Sequence, residues 1–121
     1  IDPYLLRTAL RTIIAQRLVR VLCPSCKRVS RETLPEGFLQ GKVFEAVGCP
    51  ECRQTGYHGR TAMVECLEMN ADVRNLISVP LDERALAEAA RQNGMLPLSR
   101  RAMECVNAGS TSLFEIRRVL M

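Results

Sequence analysis

Two cysteine pairs are the residues of this 121-residue chain whose type and spacing could do chemistry. Both have the form Cys-Pro-x-Cys, with Cys23 and Cys26 in the first pair and Cys49 and Cys52 in the second. Two intervening residues let one tight turn direct both sulfurs at a single ion, and two such turns complete a tetrahedral shell of four sulfurs. Because four protein ligands leave no open position, the spacing predicts a structural metal site.

One structural Zn²⁺ is the predicted cofactor, although iron suits the same four-sulfur coordination and stays an alternative. A disulfide framework requires an oxidising compartment, and two matched Cys-Pro-x-Cys units are a poor one. A redox dithiol would need only one copy of the motif. Residues 23–59, which we call the metal lobe, contain few large apolar side chains. Metal binding is therefore predicted to fold the lobe, with Lys27, Arg28 and Arg53 offsetting the charge of the thiolates.

Three further residues could carry chemistry but are predicted not to. Cys66 and Cys105 fall within apolar patterns and are predicted to be small buried core residues. His58 is the single histidine, and it is predicted to be an exposed turn residue, with a fifth-ligand or base role as the minor alternative.

Composition excludes several classes of function. The formal net charge is only +4, and five aromatic residues with no Trp provide no stacking platform, so no nucleic acid partner is expected. No apolar run approaches the roughly 18 residues of a membrane span. The chain contains neither a phosphate-loop motif nor the histidines for a catalytic triad, so catalysis by these residues alone is not expected. Its first residues, Ile1-Asp2-Pro3, do not resemble a signal peptide and are typical of an excised piece.

The elements that must position the cysteines follow from periodicity and capping residues. Asp2-Pro3 predicts a helix start, and β-branched residues favour a strand directly before the first pair. Asn70, Asp82 and the Ser112–Glu115 capping box predict later helix starts. The predicted elements are a helix to Leu10, strands at 13–22, 42–47 and 60–69, a turn at 55–59, and helices at 70–78, from 80 to Gly94, 96–108 and 112–120.

The predicted fold class is therefore mixed α+β. A few-stranded sheet packs against helices, the metal lobe is extruded, and a bundle of short helices ends the chain. The predicted division places a helix and a strand in residues 1–22, the metal lobe in 23–59, and a strand followed by a helical subdomain in 60–121.

The order of these motifs resembles a known family. The motifs are Ala15-Gln-Arg-Leu-Val-Arg20, the two Cys-Pro-x-Cys pairs, Thr55-Gly-Tyr-His-Gly-Arg60, Glu65-Cys-Leu67, Asn93-Gly-Met95 and Gly109-Ser-Thr-Ser-Leu113. Together they are similar to the C-terminal region of the secretion ATPases, the motors of type II secretion systems and the closely similar motors of type IV pilus assembly. The resemblance covers almost the whole chain and does not discriminate between the two systems.

The resemblance implies a parent protein with a RecA-like core and a phosphate loop upstream, of which residues 1–22 would be the end. Such a motor is a hexamer on the cytoplasmic face of the inner membrane, bound to a polytopic platform protein and a membrane-anchored adaptor. It uses ATP and Mg²⁺ to extend a pilus or pseudopilus for protein export. The piece present here would be structural and docking rather than catalytic.

The sequence also raises the role of two arginines and the possibility of competing functions. By resemblance, Arg17 and Arg20 would face a nucleotide or a neighbouring subunit in the parent, and a solvated pair on an edge strand is the alternative. The competing function is an independent zinc-ribbon module that binds nucleic acid or protein. A redox or metal-transfer protein is a third, supported only by the cysteine count.

Overall fold

The computed structural model describes residues 1–34, 36 and 41–121. The elements in chain order are α1 (Pro3–Ala9), β1 (Thr12–Leu22), β2 (Arg28–Val29), β3 (Phe44–Glu45), a 3-10 turn (Pro50–Cys52), β4 (Tyr57–Glu68), α2 (Ala71–Leu76), α3 (Glu83–Gln92), α4 (Leu98–Asn107) and α5 (Leu113–Leu120). The fold is mixed α and β, which confirms the predicted class. Among the described residues, no helix combines the length and the apolar character needed to cross a bilayer.

Two two-stranded sheets organise the described residues. The long strands β1 and β4 are hydrogen-bonded to each other, and the short strands β2 and β3 form a second, separate pair. The chain divides into two compact units, residues 1–15 with 64–97 and residues 16–63 with 98–121. The predicted three-part division by sequence segment stays a prediction.

The first unit, 1–15 with 64–97, contains helices that begin where capping residues predict. The Asp2 carboxylate accepts a hydrogen bond from the Tyr4 amide at 2.8 Å, so α1 begins at Pro3. Asn70 accepts from the Val73 amide at the start of α2 in the same way. The third predicted helix begins at Glu83 rather than near residue 80, because Asp82 is its N-cap and accepts hydrogen bonds from the Arg84 and Ala85 amides.

The second unit, 16–63 with 98–121, contains the core that supports the cysteines. Its buried members come from β1, the metal lobe, β4, α4 and α5: Val19, Val43, Met63, Ala102, Val106, Leu113 and Ile116. The helical members recur at spacings of three or four, so they share one face of each helix. Val43 is only 4% exposed, which means that the metal lobe contributes a side chain to this core.

The described residues between the two cysteine pairs form a short antiparallel ladder. Strands β2 and β3 pair antiparallel, with Arg28 opposite Glu45 and Val29 opposite Phe44. The Arg28 Nε lies 2.6 Å from a Glu45 carboxylate oxygen, so the directly opposed pair carries opposite charges. The predicted strand at 42–47 is confirmed at its centre, and β2 is an element that the sequence analysis missed.

Candidate metal centre

The two cysteine pairs form two tight turns, which we call the first knuckle (residues 23–26) and the second knuckle (residues 49–52). In the first, the Cys26 amide donates to the Cys23 carbonyl at 3.4 Å, immediately after β1 ends. In the second, extended Cys49 leads into the 3-10 turn that ends at Cys52. The Ser25 hydroxyl donates a hydrogen bond to Glu51, which connects the tips of the two knuckles.

The four sulfurs lie at the corners of a compact tetrahedron. The sulfur-to-sulfur distances are 3.8 Å for Cys23 to Cys49, 3.9 Å for Cys26 to Cys52 and 3.7 Å for Cys49 to Cys52. All four lie within 4.8 Å of one another, and none forms a disulfide. Zinc–sulfur bonds of about 2.3 Å in a regular tetrahedron place the sulfurs about 3.8 Å apart. The arrangement can therefore hold one metal ion.

Backbone amides point at the sulfurs that a metal would require as thiolates. Gly48 donates to the Cys26 sulfur at 3.3 Å, and Cys49 and Gly56 each donate to the Cys52 sulfur at 3.2 Å. Burial raises the pKa of the Cys52 thiol, but these amides and the neighbouring thiols outweigh it and hold the pKa at about 6. Cys52 is therefore prepared to ionise near neutral pH.

The neighbouring Cys49 thiol behaves in the opposite way and keeps its proton. The Cys52 amide lowers the pKa of the Cys49 thiol, but burial and the thiols of Cys52 and Cys23 raise it to about 11. Four sulfurs this close cannot all ionise without a compensating positive charge. A bound divalent cation would supply that charge, so the chemistry of the donor set fits a metal ion.

Gly56 is the residue whose backbone connects the second knuckle to the first. Its amide donates to the Cys52 sulfur, and its carbonyl accepts from the Cys23 amide at 2.9 Å. Its φ is +78°, and an added Cβ would lie only 2.5 Å from the Ala46 Cβ. Any side chain here would force Ala46 or the Gly56 backbone to shift.

We expect Gly56→Ala to destabilise the zinc-loaded chain by about 2–4 kcal/mol, because it adds a clash to the cost of a left-handed backbone. Gly59→Ala is the matched control: its φ is +79°, but nothing lies within 4 Å of the added Cβ, so about 1 kcal/mol is expected. Urea unfolding of both variants at fixed zinc measures the difference. Equal losses would show that the Ala46 contact does not constrain the knuckles.

Two of the three flanking cations, Lys27 and Arg28, have specific partners, and their predicted role in offsetting the thiolate charge stays a prediction. The Lys27 ammonium donates to the Gly109 carbonyl at 2.8 Å, and Arg28 pairs with Glu45. Arg53 is exposed and has a left-handed φ of 53°. The prediction of shared charge compensation missed the Lys27 contact, because Gly109 lies 82 residues away in the chain.

The remaining chemical candidates lie away from the four sulfurs. The prediction that Cys66 is buried is wrong: it is exposed, because it occupies the face of β4 opposite to buried Met63. Cys105 is half-buried and packs against the core, and burial raises the pKa of its thiol. His58 is exposed as predicted, but it lies in β4, which begins at Tyr57 inside the predicted turn.

The structure does not bring Arg17 and Arg20 together. Arg17 is exposed, and its guanidinium donates to the adjacent Gln16 carbonyl at 2.9 Å. The Arg20 guanidinium donates twice to the Glu115 carboxylate, at 2.9 and 2.7 Å, and lies 4.1 Å from the centre of the Tyr57 ring. Arg20 is therefore engaged within the second unit.

Glu115 is a buried, ion-paired carboxylate that the sequence analysis assigned only to a helix cap. Its side chain is 0% exposed and accepts from the Arg20 amide and guanidinium and from Arg118, three residues further along α5. Burial raises its pKa, but these donors outweigh burial and lower it to about 2. Of the predicted capping box, the Ser112 hydroxyl accepts from the Glu115 amide at 3.1 Å, while the carboxylate turns to the arginines. The three-residue spacing of Glu115 and Arg118 was the only feature of the sequence that indicated these ion pairs.

The fold and the centre together define an α+β chain with four clustered cysteines able to hold one metal ion. A family model described as "Type II/IV secretion system protein" matches residues 1–118. The chain belongs to this family, which confirms the resemblance seen in the sequence.

Several curated relatives carry the same kind of name. The chain is 39% identical over 119 residues to the type II secretion system protein HxcR of Pseudomonas aeruginosa, covering 98% of this chain and 23% of the relative. It is 33% identical over 129 residues to the type IV pilus assembly ATPase TfpB of Acinetobacter baylyi, covering 99% and 22%. It is 37% identical over 127 residues to the type II secretion system protein E of Aeromonas hydrophila, covering 98% and 25%. The chain thus spans about a quarter of the length of these relatives.

Proposed function

We propose that this chain is a metal-stabilised C-terminal module of a secretion or pilus assembly ATPase. The observation that carries the proposal is the tetrahedral cluster of four cysteine sulfurs within a chain that matches the family over residues 1–118. ATP and Mg²⁺ are assigned to the parent motor outside this chain, because these 121 residues contain no phosphate-loop motif. The module itself has a structural and docking role.

One Zn²⁺ is the proposed cofactor, held by Cys23, Cys26, Cys49 and Cys52. When bound, it supplies a four-point crosslink without catalytic chemistry, since all four positions are taken by protein. The sulfur separations and the amide donors of the second knuckle support this proposal. Metal analysis of protein purified without chelators distinguishes zinc from iron by identity and stoichiometry.

The proposed parent is a hexamer on the cytoplasmic face of the inner membrane, bound to a platform protein and a membrane-anchored adaptor. Residues 1–22 would complete the motor core, residues 23–59 would form the metal lobe, and residues 60–121 would provide the helical subdomain. The names of the relatives, which include both type II secretion and type IV pilus assembly proteins, support machinery partners of this kind.

Arg17 and Arg20 are proposed to have different roles in the parent. Arg17 is exposed and binds only the adjacent carbonyl among the described contacts, so its guanidinium is free to meet a nucleotide or a neighbouring subunit. Arg20 is held by Glu115 and can contribute to such a contact only through its remaining exposed edge, since 34% of its side chain is exposed.

Transport by the full-length gene product tests the proposal. We expect Cys49→Ser to reduce secretion or piliation at least tenfold, because three thiolates cannot complete the structural site. Nucleotide binding by the purified motor should stay within about twofold, since the substitution lies outside the proposed nucleotide contacts. Cys66→Ser is the matched control, because it also removes one thiol, from an exposed position of β4.

Normal transport by the Cys49→Ser motor would contradict a mechanical role for the metal lobe. Equal loss in the Cys66→Ser motor would show that the effect does not come from the four-sulfur cluster. Immunoblots for both variants separate loss of function from loss of the protein.

A further inference from the structure

The first knuckle lies directly against the turn between α4 and α5, residues 108–112. Two hydrogen bonds bracket it, one on each side of the cysteine pair. The Leu22 amide donates to the Ser110 carbonyl at 2.8 Å, and the Lys27 ammonium donates to the Gly109 carbonyl at 2.8 Å. Leu22 immediately precedes Cys23, and Lys27 immediately follows Cys26. The two bonds thus reach the same turn from the two ends of the closed knuckle.

The position of Lys27 is fixed from three directions. Its own amide donates to the Cys23 carbonyl at 3.0 Å, which is part of the turn that closes the knuckle. Its ammonium lies 4.8 Å from the centre of the Phe44 ring. A Cβ added at Gly109 would lie 3.0 Å from that ring and 3.4 Å from the ammonium, so the glycine leaves no spare room. The half-buried lysine therefore fills the space between the lobe and the α4–α5 turn.

The same turn leads into the buried ion network of α5. The Thr111 hydroxyl donates to the Arg20 carbonyl at 2.8 Å, and the Ser112 hydroxyl lies 2.7 Å from the Tyr57 hydroxyl. Glu115, one helical turn further, accepts from Arg20. Displacement of the α4–α5 turn from the first knuckle would thus disturb the start of α5 and its contact with β1.

We propose that Lys27 links metal binding at the four cysteines to docking of the α4–α5 turn and α5. This inference rests on the proposed metal site. The metal closes the knuckle, and the closed knuckle places Lys27 on the Gly109 carbonyl. Linkage is reciprocal, so a chain in which the turn is docked also binds the metal more tightly. Lys27 is a positioning residue in this scheme, since it acts through the turn and does not touch the metal.

Zinc affinity of the 121-residue chain, measured by competition with a chromophoric chelator, tests the linkage. We expect Lys27→Met to weaken zinc binding by about 10- to 30-fold, because it removes a charge-assisted hydrogen bond but keeps the apolar stem against Phe44. Lys27→Arg should restore most of the affinity. Arg53→Met is the matched control, since Arg53 follows Cys52 as Lys27 follows Cys26. It removes the same charge beside the thiolates, and we expect a loss below about threefold.

Hydrogen exchange provides the second measurement. Chelation of the wild-type chain should raise the exchange rates of the amides of Ser110 and Glu115, and zinc should protect them less in Lys27→Met than in the wild type. Gly109→Ala, which alters the turn where it contacts Lys27 and Phe44, should weaken zinc binding to a similar extent as Lys27→Met.

Several outcomes would overturn the inference. Wild-type zinc affinity in Lys27→Met, or α5 amides that exchange equally with and without zinc, would show that the two sites are independent. An equal loss of zinc affinity in Arg53→Met would show that the effect comes from removing a positive charge near the thiolates and not from the Lys27–Gly109 hydrogen bond. A wild-type chain that binds no metal would instead remove the proposed metal site itself, and the linkage with it.

Discussion

Removal of the metal from the purified chain should unfold residues 23–59 and lower the stability of the second unit by at least about 5 kcal/mol. Structural zinc in small modules contributes roughly 10–16 kcal/mol of apparent binding energy near neutral pH, which exceeds the stability of many whole domains. Among its described residues, the lobe supplies Val43 to the buried core and packs Leu34 against it, so its apolar support is small. Circular dichroism and limited proteolysis before and after addition of a chelator measure the effect.

Cys49→Ser should reproduce the effect of the chelator without one, and Cys66→Ser should remain within about 0.5 kcal/mol of the wild type, because an exposed surface substitution changes little. Readdition of Zn²⁺ should restore the chelated wild type but not Cys49→Ser. Unchanged protease resistance of the lobe after complete loss of metal would mean that the Val43 contact and the β2–β3 pair are sufficient to fold it.

Replacement of Glu115 by Gln should destabilise the chain by about 2–3 kcal/mol. The substitution removes the negative charge that two arginines share, and it leaves their guanidinium groups facing a neutral, fully buried amide. The partial exposure of Arg20 and Arg118 keeps the loss below that of a fully buried pair. Glu104→Gln is the matched control, because Glu104 pairs with Arg101 on the surface of α4 with about half of each side chain exposed. We expect that variant to lose less than about 0.5 kcal/mol in urea unfolding.

The contribution of Glu115 to the free energy of unfolding should be lost as the pH is lowered. The pKa of this carboxyl is lowered from 4.5 to about 2, so the unfolded chain takes up the proton first as the pH falls. Its stabilising effect is therefore complete above about pH 5 and is lost progressively as the pH falls towards 2. The difference in unfolding free energy between wild type and Glu115→Gln should shrink over this interval. A difference that is constant from pH 7 to pH 3 would contradict the assigned ion pairs.

Local signals predicted most of the secondary structure. Asp2, Asn70 and Ser112 accept hydrogen bonds from the amides that their positions in the sequence indicate, because a cap depends on residues two or three positions away. The two knuckles were predictable for the same reason, since each closes over four consecutive residues. The convergence of the four sulfurs followed from the repeated motif and from the coordination preference of the metal.

Contacts between distant residues were not predictable from this single sequence. The Arg20–Glu115 pair joins residues 95 positions apart, and Ser112–Glu115 spacing predicted a local bond that the carboxylate does not make. The exposure of Cys66 depends on which face of β4 the core covers, and an apolar pattern alone did not identify that face. Strand β2 was missed because two residues carry no periodicity.

The short ladder between Arg28–Val29 and Phe44–Glu45 has a consequence for tolerance to changes in chain length. Together with the two knuckles, it joins the ends of the segment that separates Cys26 from Cys49. The entropy cost of bringing the two ends of a chain segment together rises slowly, by about 0.6 kcal/mol for each doubling of its length. Added length between Val29 and Val43 should therefore change the closure entropy little, provided that Val43 keeps its place in the core, Glu32 keeps its ion pair with Arg117 and the ladder keeps its register.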